Sequence, residues 1–278
     1  MTKYEVSHNS LLLPRLDYYN MGADVVAFST TRSGGHSTGN YAGFNINPYC
    51  GDTDENVCRN RQLLCQMLGI DEKHLLMPHQ IHKTEIKVVD NEFFNRNLTG
   101  RTLSLDGFDA LMTDLPEVCI GVSTADCIPV LLYDASHHAV CAIHAGWRGT
   151  VARIVEKAVA KMTEVYDTAP INIKAQIGPG ISLDSFEVGD EVYDEFRFAG
   201  FNMSAISQRN DKWHIDLHEC NRLQLVHAGV DASSISMSGI CTFKSPDRYF
   251  SARRLGVNSG RIFTAIMIKC YDNNKNLR

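Results

Sequence analysis

The chain has 278 residues, of which 44% are apolar and 21% charged, and its formal net charge is −5. This acidic balance argues against a nucleic-acid-binding protein, and no apolar run approaches the roughly 18–20 residues that span a bilayer. The N-terminus has no signal-peptide core, so we expect a cytoplasmic globular protein whose nine cysteines are mostly reduced.

Apolar and β-branched runs predict seven strands, and the helical spacing of apolar residues predicts four helices. In chain order, the strands are expected at residues 25–29, 85–89, 117–123, 128–133, 139–144, 171–177 and 263–269. The helices are expected at residues 55–68 with Asp52 or Asp54 as cap, after Gly149 with Thr150 as cap, at 191–197, and at 217–228 between Asp216 and Gly229.

No internal repeat, low-complexity tract or linker interrupts these elements, which predicts a single domain over residues 1–278. The predicted fold class is α+β, because strands outnumber helices and include at least one hairpin. We expect mixed β-sheets with helices packed on the outside, in a layered α/β/β/α-like arrangement.

The fourth and fifth strands are joined by a short polar connector and are predicted to pair as an antiparallel hairpin. With Tyr133 opposite Ala139, counting outward places Cys127 beside Ala145, one residue from His144. A thiolate next to an imidazole forms either a metal site or an activated nucleophile. This pair is therefore the first candidate for chemistry.

Adding His82, which follows His79 in the run HQIH, gives a His, Cys, His set. Three such ligands leave one tetrahedral position for water or substrate, as catalytic zinc requires. Two other interpretations stay open from the residues alone. Cys127 could be a nucleophile with His144 as its base, in a hydrolase of amides, or all three could be strand-end residues with ordinary hydrogen bonds.

The run GWRGT, residues 146–150, leads from a strand into a helix. Amides at a helix start, together with the guanidinium of Arg148, suit an anion such as phosphate. The alternative is a plain turn in which Gly146 and Gly149 supply positive φ angles. Arg32, in a glycine-containing turn, and Arg253 are further candidates for binding substrate or phosphate, although paired arginines are more often solvated or salt-bridged.

The run TADCIPVLLYD, followed by AVCAIHAGWRGT, resembles the signature of the polyphenol oxidase or laccase-domain family, now described as purine nucleoside phosphorylases. TADC and HAGWRG at this separation are highly specific, whereas the flanking blocks are individually weak. Those blocks follow the family order along almost the whole chain: STTRSGGHSTGNYAGFNI, CGDTDENVCRNR, QIH, GFDALMTD, IGPGISLDSFEVG, CTF and YFSARRLGVNSGR.

The resemblance implies zinc ligands at His82, Cys127 and His144. It also implies phosphorolysis of adenosine, inosine and S-methyl-5'-thioadenosine, with adenosine deamination as a second activity. The expected partners are small purine nucleosides and phosphate, with no nucleic acid and no membrane, in a monomer or small homo-oligomer. Arg148 would then position phosphate, and Asp126 is the nearest candidate in sequence for a proton carrier in deamination.

The older name of the family suggests a copper-dependent polyphenol oxidase, since His₂Cys is a blue-copper donor set and Cu²⁺ is a possible occupant. However, the chain lacks the closely spaced His-x-His pairs that multicopper oxidases use. A metal-stabilised binding module without enzymatic activity is the remaining alternative.

Overall fold

A computed structural model describes residues 13–270 as a mixed α+β fold, which confirms the predicted fold class. The strands are β1 (Leu16–Tyr19), β2 (Val25–Thr30), β3 (Leu75–Leu76), β4 (Ile86–Val88), β5 (Ala110–Thr113), β6 (Cys119–Thr124), β7 (Ile128–Asp134), β8 (Ala139–Ala145), β9 (Ile173–Ile177), β10 (Glu187–Val188), β11 (Ser207–Arg209), β12 (Trp213–Ile215), β13 (Ile235–Met237) and β14 (Ile262–Ile268). The helices are α1 (Asp54–Leu68), α2 (Asn91–Asn95), α3 (Leu98–Leu103), α4 (Trp147–Val151), α5 (Ile154–Tyr166), α6 (Asp190–Phe198), α7 (Met203–Ile206), α8 (Leu217–His227) and α9 (Ala252–Leu255). The N-terminal run on which the expectation about a signal peptide rests lies mostly outside the described residues.

Two large sheets and one small sheet organise these strands. The five-stranded sheet has the order β1-β2-β14-β6-β3, and the six-stranded sheet has the order β13-β9-β7-β8-β5-β4. A third sheet, β10-β12-β11, has three strands. Both large sheets are mixed, because β3, β4 and β13 run parallel to their neighbours while the remaining pairs are antiparallel.

The two large sheets pack face to face, and helices cover their outer faces. Leu131 and Val140 of the six-stranded sheet share one buried cluster with Ile120 and Ile266 of the five-stranded sheet. The opposite face of β7 and β8 packs on α5 and α8, and α1 covers the other sheet. The central strands are buried on both faces, which is why they read as continuous apolar runs rather than alternating ones.

The predicted hairpin forms between β7 and β8, but its register differs by one residue from the prediction. Asp134 joins the strand and pairs with Ala139, in the place predicted for Tyr133. The Asp134 carboxylate accepts a hydrogen bond from the Ser136 N–H at 2.8 Å, which tightens the connector. The shift moves Cys127 one residue along, to a position opposite Gly146.

The helix predicted after Gly149 is interrupted. Helix α4 ends at Val151, Arg153 adopts a left-handed conformation with φ of 63°, and α5 begins at the next residue. Thr150 is therefore not a cap: it lies inside α4, where its hydroxyl accepts a hydrogen bond from Asn221 Nδ2 at 3.2 Å.

Of the other predicted caps, that of α1 is wrong and that of α8 is confirmed. The side chain of Thr53, rather than that of Asp52 or Asp54, caps α1 by accepting from the Asn56 N–H. Asp216 caps α8 as predicted, since its carboxylate accepts from the Glu219 N–H at 3.0 Å.

All seven predicted strands are present within two residues of their expected limits; the unpredicted strands have four residues or fewer. Within residues 13–270, no helix has the length and apolarity needed to cross a bilayer.

The contact between the large sheets should dominate stability. Leu131 has 0% exposure and Leu98, on helix α3, has 72%. We expect Leu131→Ala to lower the free energy of unfolding by about 2–5 kcal/mol, because it removes buried methyl groups and leaves a cavity. The matched change Leu98→Ala should cost less than about 0.5 kcal/mol. Urea unfolding followed by circular dichroism measures both; equal midpoints would contradict the packing described.

Candidate metal centre

The candidate centre lies where the chain passes from one large sheet to the other. Strand β6 of the five-stranded sheet ends at Thr124, and β7 of the six-stranded sheet begins at Ile128. Between them, Asp126 has a φ of 88°, a conformation that costs a non-glycine residue about 1–3 kcal/mol. This turn presents Cys127 beside the end of β8, where His144 lies.

A loop before β4 brings His82 to the same point. The side-chain amide of Gln80 donates to the Ser123 carbonyl at 2.8 Å and accepts from the Ser123 N–H at 2.7 Å. The amide thus pairs with the edge of β6 in the manner of another strand. His82 follows two residues later, with a positive φ of 61°.

The three predicted ligands converge. One donor atom from each of His82, Cys127 and His144 lies within 4.8 Å of the other two. The two imidazole rings are 4.8 Å apart between centroids and nearly perpendicular, at 82°. Ligands of tetrahedral zinc lie about 3.3–3.6 Å from one another, so small side-chain movements would close the set on an ion. The donor types and spacing fit zinc.

The orientation of these ligands depends on Asp109, a fully buried carboxylate. Nδ1 of His144 donates to Asp109 Oδ1 at 2.8 Å, which leaves Nε2 free to bind a metal. The same carboxylate accepts from the N–H groups of His82 at 3.0 Å and Lys83 at 2.7 Å. One side chain therefore orients one imidazole and holds the loop that carries the other.

The electrostatics of the site favour a thiolate. Burial would raise the pKa of the Cys127 thiol, but the adjacent imidazoles of His144 and His82 outweigh it and lower that pKa to about 6. Burial would likewise lower the pKa of His144, yet the Cys127 sulfur and the Asp109 carboxylate raise it to about 9. The thiolate is the form of cysteine that binds metals and attacks electrophiles.

Gly146 borders the site for a steric reason. A Cβ built on it would lie 3.1 Å from Cys127 Sγ and 3.1 Å from His82 Cδ2. Gly146 has a φ of −66°, and Gly149 does not have a positive φ either. The alternative in which these two glycines supply positive φ angles to a plain turn is therefore wrong. Glycine at position 146 instead leaves room for the ligands.

A cavity of about 560 Å³ opens in front of the three ligands. Its wall includes the side chains of Tyr49, His79, Gln80, Asn258 and Arg261, from three widely separated parts of the sequence. This volume lies within the range of small-molecule sites.

Asp126 is engaged elsewhere. Its carboxylate accepts hydrogen bonds from the hydroxyls of Thr242 at 2.7 Å and Ser251 at 3.0 Å, and from the Arg253 N–H at 2.7 Å. These bonds tie the turn before Cys127 to the C-terminal part of the described chain. Asp126 is not among the cavity-lining residues, and the geometry gives it a positioning role.

The three arginines named from the sequence contact protein groups. The guanidinium of Arg148 lies over the Trp147 ring at 4.2 Å, and that of Arg32 donates to the Pro246 carbonyl at 2.7 Å. Arg253 donates to the Glu187 carbonyl at 3.1 and 3.2 Å. None of the three is among the cavity-lining residues of the described chain, whereas Arg261 is.

Sequence reasoning did not identify Asp109 or Arg261 as site residues, and it named His79 and Gln80 only as neighbours of His82. Asp109 carried one usable signal, an acid at the start of the apolar run ALMT. Arg261 carried no such local signal, since nothing in its local pattern distinguishes it from a solvated arginine, although it is the last residue of the family block YFSARRLGVNSGR.

Comparisons with known proteins place these features in a family. The family described as multi-copper polyphenol oxidoreductase laccase matches residues 26–269. A purine nucleoside phosphorylase of Bacteroides thetaiotaomicron is 46% identical over 249 residues, covering 88% of this chain and 92% of that protein. Adenosine deaminase RL5, from an unknown prokaryotic organism, is 43% identical over 260 residues, covering 92% of this chain and 99% of that protein.

Solved structures agree with the fold. The hypothetical protein YfiH of Bacillus licheniformis gives a TM-score of 0.86 at 29% identity, covering 94% of this chain and all (100%) of that one. YlmD of Geobacillus stearothermophilus gives 0.85 at 30% identity, covering 93% and 100%. The resemblance seen in the sequence is thereby confirmed, and the chain belongs to the multi-copper polyphenol oxidoreductase laccase family.

Proposed function

We propose that this chain is a zinc-dependent purine nucleoside phosphorylase that also deaminates adenosine. Its nucleoside substrates are adenosine, inosine and S-methyl-5'-thioadenosine, each cleaved with phosphate. The observation that carries the proposal is the convergence of His82, Cys127 and His144 on a cavity of about 560 Å³. Relatives that share most of the chain are named purine nucleoside phosphorylase and adenosine deaminase, which supports the choice of substrate.

The chain's own groups supply a pre-oriented ligand set. Asp109 fixes the tautomer of His144 by accepting from Nδ1, and Cys127 brings the negative charge that a divalent cation favours. His82 is the exposed member of the set and lines the cavity. A zinc ion held by these three residues would supply Lewis acidity at its fourth position.

Phosphate requires a cation within the cavity, and Arg261 supplies it. Its Nη1 donates to the Ser259 carbonyl and its Nη2 to the Val257 carbonyl, both at 2.6 Å. These bonds hold the guanidinium in place and leave N–H donors for an anion. In this proposal Arg261 binds phosphate directly, while Arg32, Arg148 and Arg253 support the surrounding loops.

A second candidate function follows from the same side chains. Cys127, His144 and Asp109 form a nucleophile, base and orienting carboxylate in the order of a hydrolytic triad. Without a metal, that arrangement would suit a cysteine hydrolase acting on an amide. The two functions differ in whether the Cys127 sulfur is free.

Copper oxidase chemistry has less support. Within residues 13–270, one group of three metal-ligating side chains meets the spacing for an ion. Multicopper centres need further histidines, which this group does not provide. Strong visible absorption by the copper-loaded protein would favour the oxidase, and absence of turnover with every metal would favour a binding module.

The direct test is chromatographic product analysis of the zinc-loaded protein. With phosphate, we expect adenosine to give adenine and inosine to give hypoxanthine, each with ribose 1-phosphate, and adenosine also to give inosine. Cys127→Ala should lower both activities more than about 100-fold and abolish zinc retention, since it removes a ligand outright.

The matched control is Cys58→Ala, an exposed cysteine on α1. It should retain zinc, measured by mass spectrometry, and full turnover. Turnover by metal-stripped Cys127→Ala at the rate of the unmodified protein would overturn the proposal.

Alkylation separates the phosphorylase from the cysteine hydrolase. Because the pKa of the Cys127 thiol is lowered to about 6, the metal-free protein should carry a thiolate at pH 7 and react rapidly with iodoacetamide. Bound zinc should slow that reaction at least about 10-fold, and a chelator should restore it. Peptide mass spectrometry follows Cys127 separately from the exposed Cys58 and Cys270. Equal labelling with and without zinc would favour the hydrolase.

The role of Asp109 can be tested against a second Asp–His pair, which lies on the hairpin that carries His144. Asp134 is also fully buried and accepts from His137 Nδ1 at 2.8 Å, but that pair lies at the opposite end of β7. We expect Asp109→Asn to weaken zinc binding about 10–100-fold, since it disturbs the bonds to His144 and the His82 loop. Asp134→Asn should leave zinc affinity unchanged. Competition with a chromophoric chelator measures the zinc affinity of each variant. Equal affinities would show that Asp109 does not orient the zinc ligands.

A further inference from the structure

A third imidazole, which is not part of the metal set, lines the cavity. His79 lines the cavity, and its Nδ1 donates to the Asp106 carboxylate at 2.6 Å. Its ring stacks on Tyr49, with 4.5 Å between centroids and 28° between planes. The His79 N–H donates to the Leu105 carbonyl and its carbonyl accepts from the Gly107 N–H, both at 3.0 Å.

These contacts leave one atom of the ring uncommitted. The main chain, one ring face and Nδ1 of His79 are each engaged, so Nε2 is the position available to a ligand. The carboxylate on Nδ1 fixes this tautomer and orients the ring, as the acid of a His–Asp pair does. Asp106 is therefore a positioning residue for His79.

Outside the metal set, the other titratable groups of the cavity wall are less suited to transfer a proton to a substrate. Arg261 stays charged, and burial raises the pKa of the Tyr49 hydroxyl above its usual value of 10.0. The Cys50 thiol is buried and donates to the Asn47 carbonyl at 3.4 Å. Imidazole is the side chain whose ordinary range of titration, about pH 5–8, matches the task.

We propose that His79, held by Asp106, is the general acid that protonates the departing purine in phosphorolysis. The inference rests on the proposed function and adds to it the group that activates the leaving base. His79 also takes the role of proton carrier for which Asp126 was the candidate from the sequence. The Asp126 carboxylate is bonded to Thr242, Ser251 and Arg253 instead.

An oxygen of hydrogen phosphate forms a bond to C1' of the ribose while the C1'–N9 bond breaks, and its electron pair passes to the purine ring. Protonated His79 gives its Nε2 proton to N7 of the purine, which leaves as the neutral base. The ribose 1-phosphate monoanion then returns a proton to Nε2. General acid catalysis of this kind contributes about 10²–10⁴-fold.

The test compares two nucleosides that differ in their need for an acid. Inosine requires protonation of its base, whereas 7-methylinosine carries a methyl group and a positive charge at N7 and leaves without a proton. We expect His79→Asn, which keeps a donor toward Asp106, to lower kcat/KM for inosine by about 100-fold or more. The same variant should change kcat/KM for 7-methylinosine less than about 3-fold.

Asp106→Asn should show the same pattern with a smaller loss. The matched control is His227→Asn, because His227 is an exposed histidine paired with Glu156 at 3.1 Å in another part of the molecule. It should leave both substrates unaffected, and zinc content should equal that of the unmodified protein in every variant.

The outcomes separate the two proposals. If the unmodified protein cleaves both nucleosides but His79→Asn loses both equally, His79 is not the acid and the proposed function stands. If the unmodified protein cleaves neither nucleoside, the proposed function fails and the role of His79 fails with it.

Discussion

The site depends on one buried charge, the carboxylate of Asp109. A carboxylate removed from water is strongly destabilising unless its oxygens are fully hydrogen-bonded. Here the compensation comes from the His82 and Lys83 amides and from the His144 ring. These donors belong to the His82 loop and to His144, which are the groups that the site must position. The hydrogen bonds that compensate the buried charge therefore also assemble the site.

A second buried carboxylate, that of Asp126, positions the turn that carries Cys127. Asp126 holds three donors from the C-terminal part of the described chain and itself adopts a positive φ. His82, itself one of the ligands, also has a positive φ, so it and Asp126 each carry left-handed strain of about 1–3 kcal/mol. Hydrogen bonds to charged acceptors contribute about 1.5–3 kcal/mol each, which is enough to offset the strain. These hydrogen bonds hold the strained backbone in place, and that backbone keeps Cys127 and His82 facing one point.

The sequence predicted contacts between residues that are close together in the chain better than contacts between distant ones. The β7–β8 pairing is local and apolar, so Cys127 and His144 could be placed together from pattern alone. Register is decided by the turn, and Asp134 extended the strand by using its side chain to close the connector; hence the shift of one residue. His82 was added to this pair without a geometric argument, and the family resemblance supported it. Its approach depends on Gln80 pairing with Ser123, a contact across 43 positions. Asp109 was missed because β5 has four residues and gives no clear period.

Arginine was the residue least predictable from local pattern. A guanidinium on a long, flexible stem can bind an anion, cap carbonyls or stack on a ring, and the choice depends on which partners the tertiary fold brings near. Arg148 lies in the first turn of α4, where an anion-binding residue would lie, yet its guanidinium lies over the neighbouring Trp147 ring. Arg261 reaches the cavity because the loop from 256 to 260 supplies carbonyls that hold its Nη atoms in place.

The polar wall of the cavity is committed to bonds within the protein. Gln80 uses both ends of its amide on Ser123, while Asn47 donates to the Ser123 hydroxyl and accepts from the Tyr49 N–H. Groups held in this way need no reordering when a substrate enters, so the site is organised before binding. Among the lining residues of the described chain, Arg261 is the one side chain with a permanent charge. A wall of amides and hydroxyls with one guanidinium suits a neutral polar molecule accompanied by a single anion, which is the pairing of a nucleoside with phosphate.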